Sequence, residues 1–374
     1  MRLNADPANG GPGISLVVPT HDDARYLAAL LESVDRARGG MTVEVVVVDD
    51  SSPADAAAVA ALCERHGAVL ERVRGGPAAK RNRGAARARH DLVLFVDADC
   101  EVAPDTLRHH AALAGMEPGV GARVGLVEFP GEPSAAWDVV ERTQFLGAFR
   151  MAARMPRAPW GVSCNLCVRR EAFVAVGGFD EALLPVAGGE DVDLGLRLNA
   201  AGWVIACAPE AVVRHTRDTW TGARRVARRG WRYGRGHFHL LRKHRAATSV
   251  EFPRLPAAFA LALAACAVRA ALAGRPAALL AGPAFVAAAM GVQALAVTIQ
   301  QGRPLGTVHR ELAAHLLDLS FDAGVIAESL RQRSLEGVWR KLVYARGQLV
   351  AERPRKVIQS WSLAVALAVL VLAF

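Results

Sequence analysis

The sequence predicts an α/β domain with a mixed, mostly parallel sheet flanked by helices, followed by hydrophobic C-terminal helices. Three observations carry this prediction. Short apolar runs rich in valine and leucine alternate with segments of helical periodicity in the first half of the chain. Acidic residues follow directly after several of these runs. Beyond residue 252 the composition changes to long, alanine-rich apolar stretches.

The first half is predicted to fold as successive strand–helix units. Strands are predicted at residues 14–18, 43–48, 68–70 and 92–96, and helices at residues 26–34, 55–66 and 78–89. The nearly continuous apolar character of these strands indicates burial on both faces and a parallel arrangement. Between residues 123 and 215, strands and glycine turns are expected around one clear helix, which begins near Glu190 and ends at Gly202.

Three apolar stretches of the C-terminal region are candidates for membrane helices. Two lie within residues 257–299, on either side of a Gly-Arg-Pro break, and the third covers residues 357–374. A spanning helix needs about 20 apolar residues. We therefore expect a transmembrane or membrane-inserted hairpin at 257–299 and a third hydrophobic helix at 357–374. Because the runs are rich in alanine, a buried helical hairpin is the alternative.

Two further segments indicate on which side of a membrane the chain is expected to lie. Residues 303–356 are amphipathic and basic, which predicts interfacial helices on anionic lipid at the cytosolic side, with a solvated basic face as the alternative. Residues 1–13 are polar, rich in glycine and proline, and lack the apolar core of a signal peptide. We expect them to form a disordered tail and the domain that follows to lie in the cytosol.

The net charge and the spacing of the cysteines indicate which classes of partner to expect. The formal net charge of +9 favours an anionic partner, such as a membrane surface or a phosphorylated substrate. Nucleic acid is not expected, because zinc-finger spacing and aromatic RNA-binding motifs are missing. The six cysteines are scattered, and the single CxxC of Cys164 and Cys167 has no second pair, so a zinc site is not expected.

Acidic and basic residues gather where the predicted strands end. Asp49 and Asp50 follow the second strand, and Asp97 and Asp99 follow the fourth. Side chains two apart on a strand point the same way, so Asp97 and Asp99 are predicted to offer oxygen ligands to Mg²⁺ or Mn²⁺. A chance Asp-x-Asp turn is the alternative.

The segment 75–84 opens the third helix with glycines and basic residues. Helix N-terminal amides, together with Lys80 or Arg81, are predicted to hold a diphosphate. A solvated helix face is the alternative.

Six motifs occur in the order typical of a large enzyme family. They are Pro-Thr-His-Asp after the first strand, Val-Asp-Asp-Ser-Ser, the Gly-Pro-Ala-Ala-Lys-Arg-Asn-Arg-Gly segment, Asp-Ala-Asp, Val-Gly-Gly-Phe-Asp-Glu and Gly-Glu-Asp-Val-Asp. In this order they resemble the inverting glycosyltransferases of family two, which have the GT-A fold, a Rossmann-like nucleotide-binding arrangement. The resemblance covers about residues 14–236, so a GT-A domain is expected at 14–245.

The resemblance implies a role for each motif. Asp49 or Asp50, together with Pro19 and Thr20, would bind the nucleoside. Asp99, with Asp97, would hold Mg²⁺ or Mn²⁺, and His215 matches a histidine that completes the metal site in many relatives. Asp191 would be the general base. The other donor-side residues implied are Lys80, Arg81, Asp97, Glu190 and Arg232. Helix capping is the alternative for Glu190 and Asp191.

The function expected is transfer of a sugar from a nucleotide-sugar donor to an acceptor hydroxyl, with inversion in one displacement. A lipid-linked or cell-envelope polysaccharide precursor is the expected acceptor, at the cytosolic membrane face. The Gln-x-x-Arg-Trp motif of processive relatives is absent, which favours addition of one or a few sugars. An inactive membrane scaffold and a sugar nucleotidyltransferase are the alternatives. The arginines around Arg232 either clamp a pyrophosphate or contact lipid headgroups.

Overall fold

The computed structural model describes residues 12–182, 188–251, 253–274 and 278–343. The chain divides into two compact units, one of Met1–Glu132 with Gly147–Thr219, the other of Pro133–Leu146 with Trp220–Phe374. The domain predicted at 14–245 therefore extends beyond the first unit. The predicted third helix at 357–374 and nearly all of the predicted tail at 1–13 lie outside the described residues.

The strands agree with the predicted strand–helix alternation. In chain order they are β1 (Ile14–Thr20), β2 (Val43–Asp49), β3 (Val69–Arg72), β4 (Leu92–Phe95), β5 (Cys100–Val102), β6 (Val120–Glu128), β7 (Arg157–Ala158), β8 (Leu166–Arg169), β9 (Val204–His215), β10 (Thr248–Val250) and β11 (Arg340–Leu342).

The α-helices fall between these strands in the first unit and dominate the second. They are α1 (Ala24–Ala37), α2 (Pro53–Arg65), α3 (Pro77–Arg87), α4 (Thr106–Ala111), α5 (Ala135–Arg142), α6 (Arg170–Ala175), α7 (Glu190–Ala200), α8 (Ala223–Lys243), α9 (Leu255–Ala273), α10 (Ala278–Gln300), α11 (Val308–Arg331) and α12 (Glu336–Trp339).

One mixed sheet organises the first unit. Its order is β3-β2-β1-β4-β8-β6-β9-β5, with β7 paired to β9. The first four strands are mutually parallel, β6 is parallel to β9, and β8 runs antiparallel between β4 and β6. The predicted mixed, mostly parallel sheet flanked by helices is confirmed. Every residue of β2 and β4 is buried, as the nearly continuous apolar character of these strands indicated.

The pairing register brings the ends of three strands to one edge of the sheet. Thr20 pairs with Asp49, and Val17 pairs with Phe95, so β1, β2 and β4 end side by side. Helix α3 lies close against this part of the sheet because Gly84 has no side chain: a Cβ there would fall 2.2 Å from Val17 Cγ1. Lys80, one turn earlier on the same helix face, is thereby directed to the sheet edge.

Close packing of two long helices organises the second unit. A Cβ on Gly234 of α8 would fall 2.0 Å from the Phe321 carbonyl oxygen of α11. Charged side chains are buried beside this contact, and Glu328 accepts a 2.8 Å hydrogen bond from Arg235. Much of the predicted interfacial segment is therefore the packed helix α11, followed by α12 and by β11, which pairs with β10. Residues 344–356 of that segment lie outside the described part of the chain.

Within the described residues of the second unit, two helices are long and apolar enough to cross a membrane. They are Leu255–Ala273 and the Gly282–Gln300 part of α10. Both leave large apolar side chains uncovered, among them Leu272, which is 84% exposed. The predicted pair of apolar helices is confirmed, and the uncovered leucines disfavour the alternative of a hairpin buried in protein.

Candidate active site

The loops after β1 and β2 interlock to form one wall of the site. Asp22 lies in the left-handed region at φ 55°, which aspartate tolerates, and its carboxylate accepts 2.8 Å hydrogen bonds from the Ser52 amide and hydroxyl. Asp49 is fully buried, accepts hydrogen bonds from Ser51, and forms an ion pair with Arg72. The Asp49 carboxylate is therefore engaged in contacts within the protein.

Asp50 is the more accessible of the two predicted nucleoside carboxylates. Its carboxylate lies 2.9 Å from His21 Nδ1, forms an ion pair with the Lys80 ammonium and accepts a hydrogen bond from the Gly75 amide. Burial raises the pKa of Asp50, but the Lys80 hydrogen bond and the Gly75 amide outweigh it and hold that pKa below the ordinary value. Asp50 is therefore ionised at neutral pH and can accept hydrogen bonds from a ligand.

Thr20 offers a second polar group at this edge. The residue is 2% exposed, and its hydroxyl has no hydrogen-bond partner among the described residues. Its carbonyl oxygen accepts a 2.7 Å hydrogen bond from Lys80. A buried hydroxyl without a partner costs free energy, so this group is suited to a ligand that supplies one. Pro19, which precedes it on β1, is half-buried.

Lys80 and Arg81 are both buried and paired with acidic groups. Arg81 donates to Asp97 Oδ1 at 2.7 Å and to Glu190 Oε1 at 2.9 Å. Burial disfavours the guanidinium charge, but Asp97 and Glu190 outweigh it and raise the pKa of Arg81 further. Neither cation is the solvated helix face considered above. Their contacts position carboxylates around the site, and direct binding of a diphosphate stays a prediction.

The Asp97–Asp99 motif forms a turn, and this corrects the expected geometry. Strand β4 ends at Phe95 and β5 begins at Cys100, so the two carboxylates do not lie on one strand. Asp97 is held by Arg81, whereas Asp99 lies 3.5 Å from His215 Nε2. The turn thus directs the two carboxylates to different partners, and the structure places Asp99 rather than Asp97 beside the histidine.

His215 is held in an orientation that suits a metal ligand. Its ring stacks on Phe129 at a centroid distance of 5.1 Å, and its Nδ1 lies 2.8 Å from the Thr216 carbonyl oxygen. Because that oxygen only accepts, Nδ1 carries a hydrogen, and Nε2 faces the Asp99 carboxylate. An imidazole nitrogen beside a carboxylate is a donor pair that can hold a cation, and the Nδ1 contact is the kind that orients ligating histidines.

Asp23 adds negative charge to this region. Burial raises the pKa of Asp23, and the charge of Asp99 raises it further. The mutual repulsion of the two carboxylates is a second sign that the site is suited to a divalent cation, and the oxygen and nitrogen donors of Asp99 and His215 fit Mg²⁺ or Mn²⁺.

Asp191 stands at the N-terminus of α7, where two glycines turn the chain. Gly188 and Gly189 have φ values of 122° and 100°, which side chains rarely adopt. Asp191 Oδ1 accepts a 2.8 Å hydrogen bond from the Val192 amide, so part of the capping alternative is present. Burial, and then repulsion from Glu190, nevertheless raise the pKa of Asp191 to about 7. A simple cap would have a lowered pKa, so the raised value favours a proton acceptor.

Arg81 links the acidic turn to the start of α7, where Asp191 lies. Its two terminal nitrogens bind Asp97 and Glu190, and Glu190 is the chain neighbour of Asp191. Arg232 lies on α8 in the second unit, and its predicted role stays a prediction.

Some neighbours of the site were not expected from the sequence. Arg72, Asp23, Phe129 and Cys100 all contact or flank predicted site residues. Arg72 ends the strand next to β2, so the strand order would have identified it. Cys100 pairs with His215 across β5 and β9, a contact that carries no local sequence signal.

The first unit is thus an α/β domain with acidic and basic side chains gathered at one edge of its sheet. Residues 15–177 match the family model described as Glycosyl transferase family 2. The N-terminal half of the chain is therefore similar to family 2 glycosyltransferase domains over these residues, in agreement with the resemblance that its motifs indicated.

Named glycosyltransferases are among its relatives. A pre-mycofactocin glycosyltransferase of Mycobacterium tuberculosis is 34% identical over 221 residues, covering 55% of this chain and 43% of the relative. The N-acetylglucosaminyl-diphospho-decaprenol L-rhamnosyltransferase of the same species is 34% identical over 129 residues, covering 34% and 38%. The chain thus spans less than half the length of these curated relatives.

Among solved structures, the mannosyltransferase PcManGT from Pyrobaculum calidifontis aligns with a TM-score of 0.47 at 18% identity. The alignment covers 99% of this chain and 90% of that one.

Proposed function

We propose that this chain transfers a sugar from a nucleoside-diphosphate sugar to an acceptor hydroxyl, with inversion at the anomeric carbon. The observation that carries the proposal is the Arg81 bridge, which joins the Asp97 side of the acidic turn to the helix end that bears Asp191. A base with a pKa of about 7 and a candidate cation site thus belong to one constellation. This pairing suits a displacement in which a nucleophile loses a proton while a diphosphate leaves.

The donor side uses groups at the β1 and β2 edge. Asp50 accepts hydrogen bonds from the base or ribose of the nucleoside, and the unpartnered Thr20 hydroxyl gains one from the same ligand. Asp99 and His215 would hold Mg²⁺ or Mn²⁺, and Asp97, two residues earlier in the same turn, contacts Arg81. When bound, the cation neutralises charge on the leaving diphosphate.

Asp191 acts on the acceptor side. Its carboxylate removes the proton of the acceptor hydroxyl as that oxygen attacks the anomeric carbon from the face opposite the leaving diphosphate. A single displacement of this kind inverts the configuration and needs no protein nucleophile. Burial and Glu190 keep Asp191 basic enough to accept the proton at neutral pH.

We further propose that the acceptor is a lipid-linked or cell-envelope polysaccharide precursor, used at the cytosolic face of a membrane. The two candidate spans support this, as does the diphospho-decaprenol acceptor in the name of one relative. Helix α8 adds an exposed basic stripe that suits anionic headgroups or a pyrophosphate: Arg224, Arg228 and Arg232. The family match favours transfer over the nucleotidyltransferase alternative.

The test is a donor panel of UDP, GDP and dTDP sugars with the full chain in detergent and Mg²⁺ or Mn²⁺, read by release of the nucleoside diphosphate and the anomeric configuration of the product. Asp191→Asn keeps the shape but cannot take a proton. It should lower kcat by about 10² to 10⁴-fold with little change in donor affinity.

Full transfer by Asp191→Asn would eliminate the assigned base. A product of retained configuration would eliminate the single displacement. If no donor turned over, the inactive-scaffold alternative would be favoured.

A further inference from the structure

Cys100 lies beside the two residues proposed to hold the divalent cation. It pairs directly with His215 across the antiparallel strands β5 and β9. Residues that face each other in this way direct their side chains to the same face of a sheet. One ligand atom each from Asp99, Cys100 and His215 all lie within 4.8 Å of one another. A sulfur, a nitrogen and an oxygen donor are therefore close enough together to hold one metal ion.

The position of the Cys100 sulfur is fixed by its surroundings. The residue is 1% exposed, and its thiol donates a hydrogen bond to the sulfur of Cys164, which is also buried. His215 is fixed from the other side by Phe129 and by the Thr216 carbonyl oxygen. The donors are thus held before any ion arrives, which lowers the ordering cost of binding.

A donor set that includes sulfur is chemically distinct from the oxygen-rich sites that Mg²⁺ and Mn²⁺ prefer. Hard cations gain little from a thiolate, whereas Zn²⁺ is borderline-soft and takes Cys, His and Asp together in tetrahedral sites. Three protein donors leave a fourth position for water or a ligand oxygen, as in open zinc sites.

We propose that Cys100 is a third ligand of the Asp99–His215 site, so that the site binds a thiophilic cation of the zinc type in competition with Mg²⁺ or Mn²⁺. The inference rests on the proposed function, because it concerns the cation position used there. On binding, a zinc–sulfur bond replaces the sulfur–hydrogen bond and the proton passes to solvent, with no change of oxidation state. Zn²⁺ thereby displaces the cation that supports transfer.

The test measures sulfur ligation directly. The full chain in detergent is freed of metal, loaded with one equivalent of Zn²⁺, and its zinc-edge X-ray absorption is recorded. We expect one sulfur neighbour at about 2.3 Å beside shorter nitrogen and oxygen neighbours. In parallel, Cd²⁺ titration should produce a thiolate-to-metal absorption band that saturates at one ion per chain, and competition with Mn²⁺ gives the ratio of the two affinities.

Cys100→Ser should remove the sulfur neighbour and the Cd²⁺ band, and lower the Cd²⁺-to-Mn²⁺ affinity ratio at least about tenfold. The ratio between variants is the informative quantity, because sites of nitrogen and oxygen alone also bind Zn²⁺ above Mn²⁺. The matched control is Cys207→Ser, a half-buried cysteine of β9, which should keep the band and the ratio.

Zinc bound without sulfur in the unmutated chain, or a sulfur neighbour that persists in Cys100→Ser, would overturn the inference. The unmutated chain alone supplies the first result, so misfolding of a variant does not remove the test. Mn²⁺-supported sugar transfer is measured separately. Transfer with sulfur-free zinc overturns only the inference, whereas absence of transfer with an intact zinc–sulfur bond overturns only the proposed function.

Discussion

The raised pKa of Asp191 predicts how transfer depends on pH. The proposed base would be active when ionised, and the pKa of Asp191 is raised to about 7, far above the ordinary 3.8 of an aspartate. kcat/KM should therefore be lost as the pH falls through 7. It should stand at roughly half its plateau at pH 7, and fall about tenfold for each further unit below pH 6, because kcat/KM reports the free enzyme. An aspartate of ordinary pKa would leave the profile flat over this range.

Glu190→Gln tests the physical cause of the shift. Burial is the largest contribution to the raised pKa, and repulsion from Glu190 is the next. Removing the Glu190 charge leaves burial and the opposing charge of Arg81 in place. The acidic limb should therefore move to lower pH by roughly one unit, which is the scale of a neighbouring like charge. It should not return to the limb of an exposed aspartate.

The assay is the initial rate of nucleoside diphosphate release at limiting donor and acceptor between pH 5 and 9, with saturating cation at each pH. Glu64→Gln on α2 is the control, because Glu64 is exposed and lies outside the site. An acidic limb of Glu190→Gln that stays in place, or moves to higher pH, would refute the electrostatic argument. A flat profile for the unmutated chain would refute the raised pKa itself.

Three further predictions follow from single contacts. Thr20→Val should weaken donor binding about tenfold and leave the thermal unfolding midpoint unchanged, because the hydroxyl has no hydrogen-bond partner among the described residues. A lower midpoint would show that the hydroxyl makes a stabilising hydrogen bond within the protein. Gly234→Ala should lower the free energy of unfolding by more than about 1 kcal/mol, because its Cβ would lie 2.0 Å from the Phe321 carbonyl oxygen. The control is Gly291→Ala on α10, whose Cβ would meet nothing within 4 Å and which should be neutral or stabilising; equal effects of the two variants would contradict the packing argument. The full chain should stay with membranes after an alkaline carbonate wash and need detergent for release; release by the wash alone would refute the spanning role of α9 and α10.

The sheet of the first unit could be predicted because its signals are local. Residues 43–48 are almost entirely apolar and β-branched, and the strand β2 that they form is buried along its length. The helices between the strands follow from periodicity in the same way, with ends shifted by one to three residues. Strand order and the antiparallel insertion of β8 depend on contacts between distant segments, which no local pattern records.

The sequence did not indicate how the candidate site residues contact each other. Lys80 or Arg81 was expected to hold a diphosphate, which stays a prediction; in the structure, half-buried carboxylates pair with both side chains. The reason is the register of α3 on the sheet, which Gly84 sets through its contact with Val17. The contacts of a basic helix N-terminus with neighbouring carboxylates therefore depend on how the helix packs, which the motif alone does not record.

The positions of Asp99, Cys100 and His215 show what the Asp-x-Asp motif alone does not predict. An Asp-x-Asp triplet predicts two oxygens on one strand, whereas here a turn separates them and the antiparallel pairing of β5 with β9 selects which carboxylate meets the histidine. The same pairing places a sulfur next to that histidine. Since side chains that face each other across two strands share one face of the sheet, the histidine cannot be brought to Asp99 in this register without bringing Cys100 as well. The register of two strands far apart in the sequence thus places an oxygen, a nitrogen and a sulfur donor close together, and the proposed preference for a thiophilic cation depends on that register.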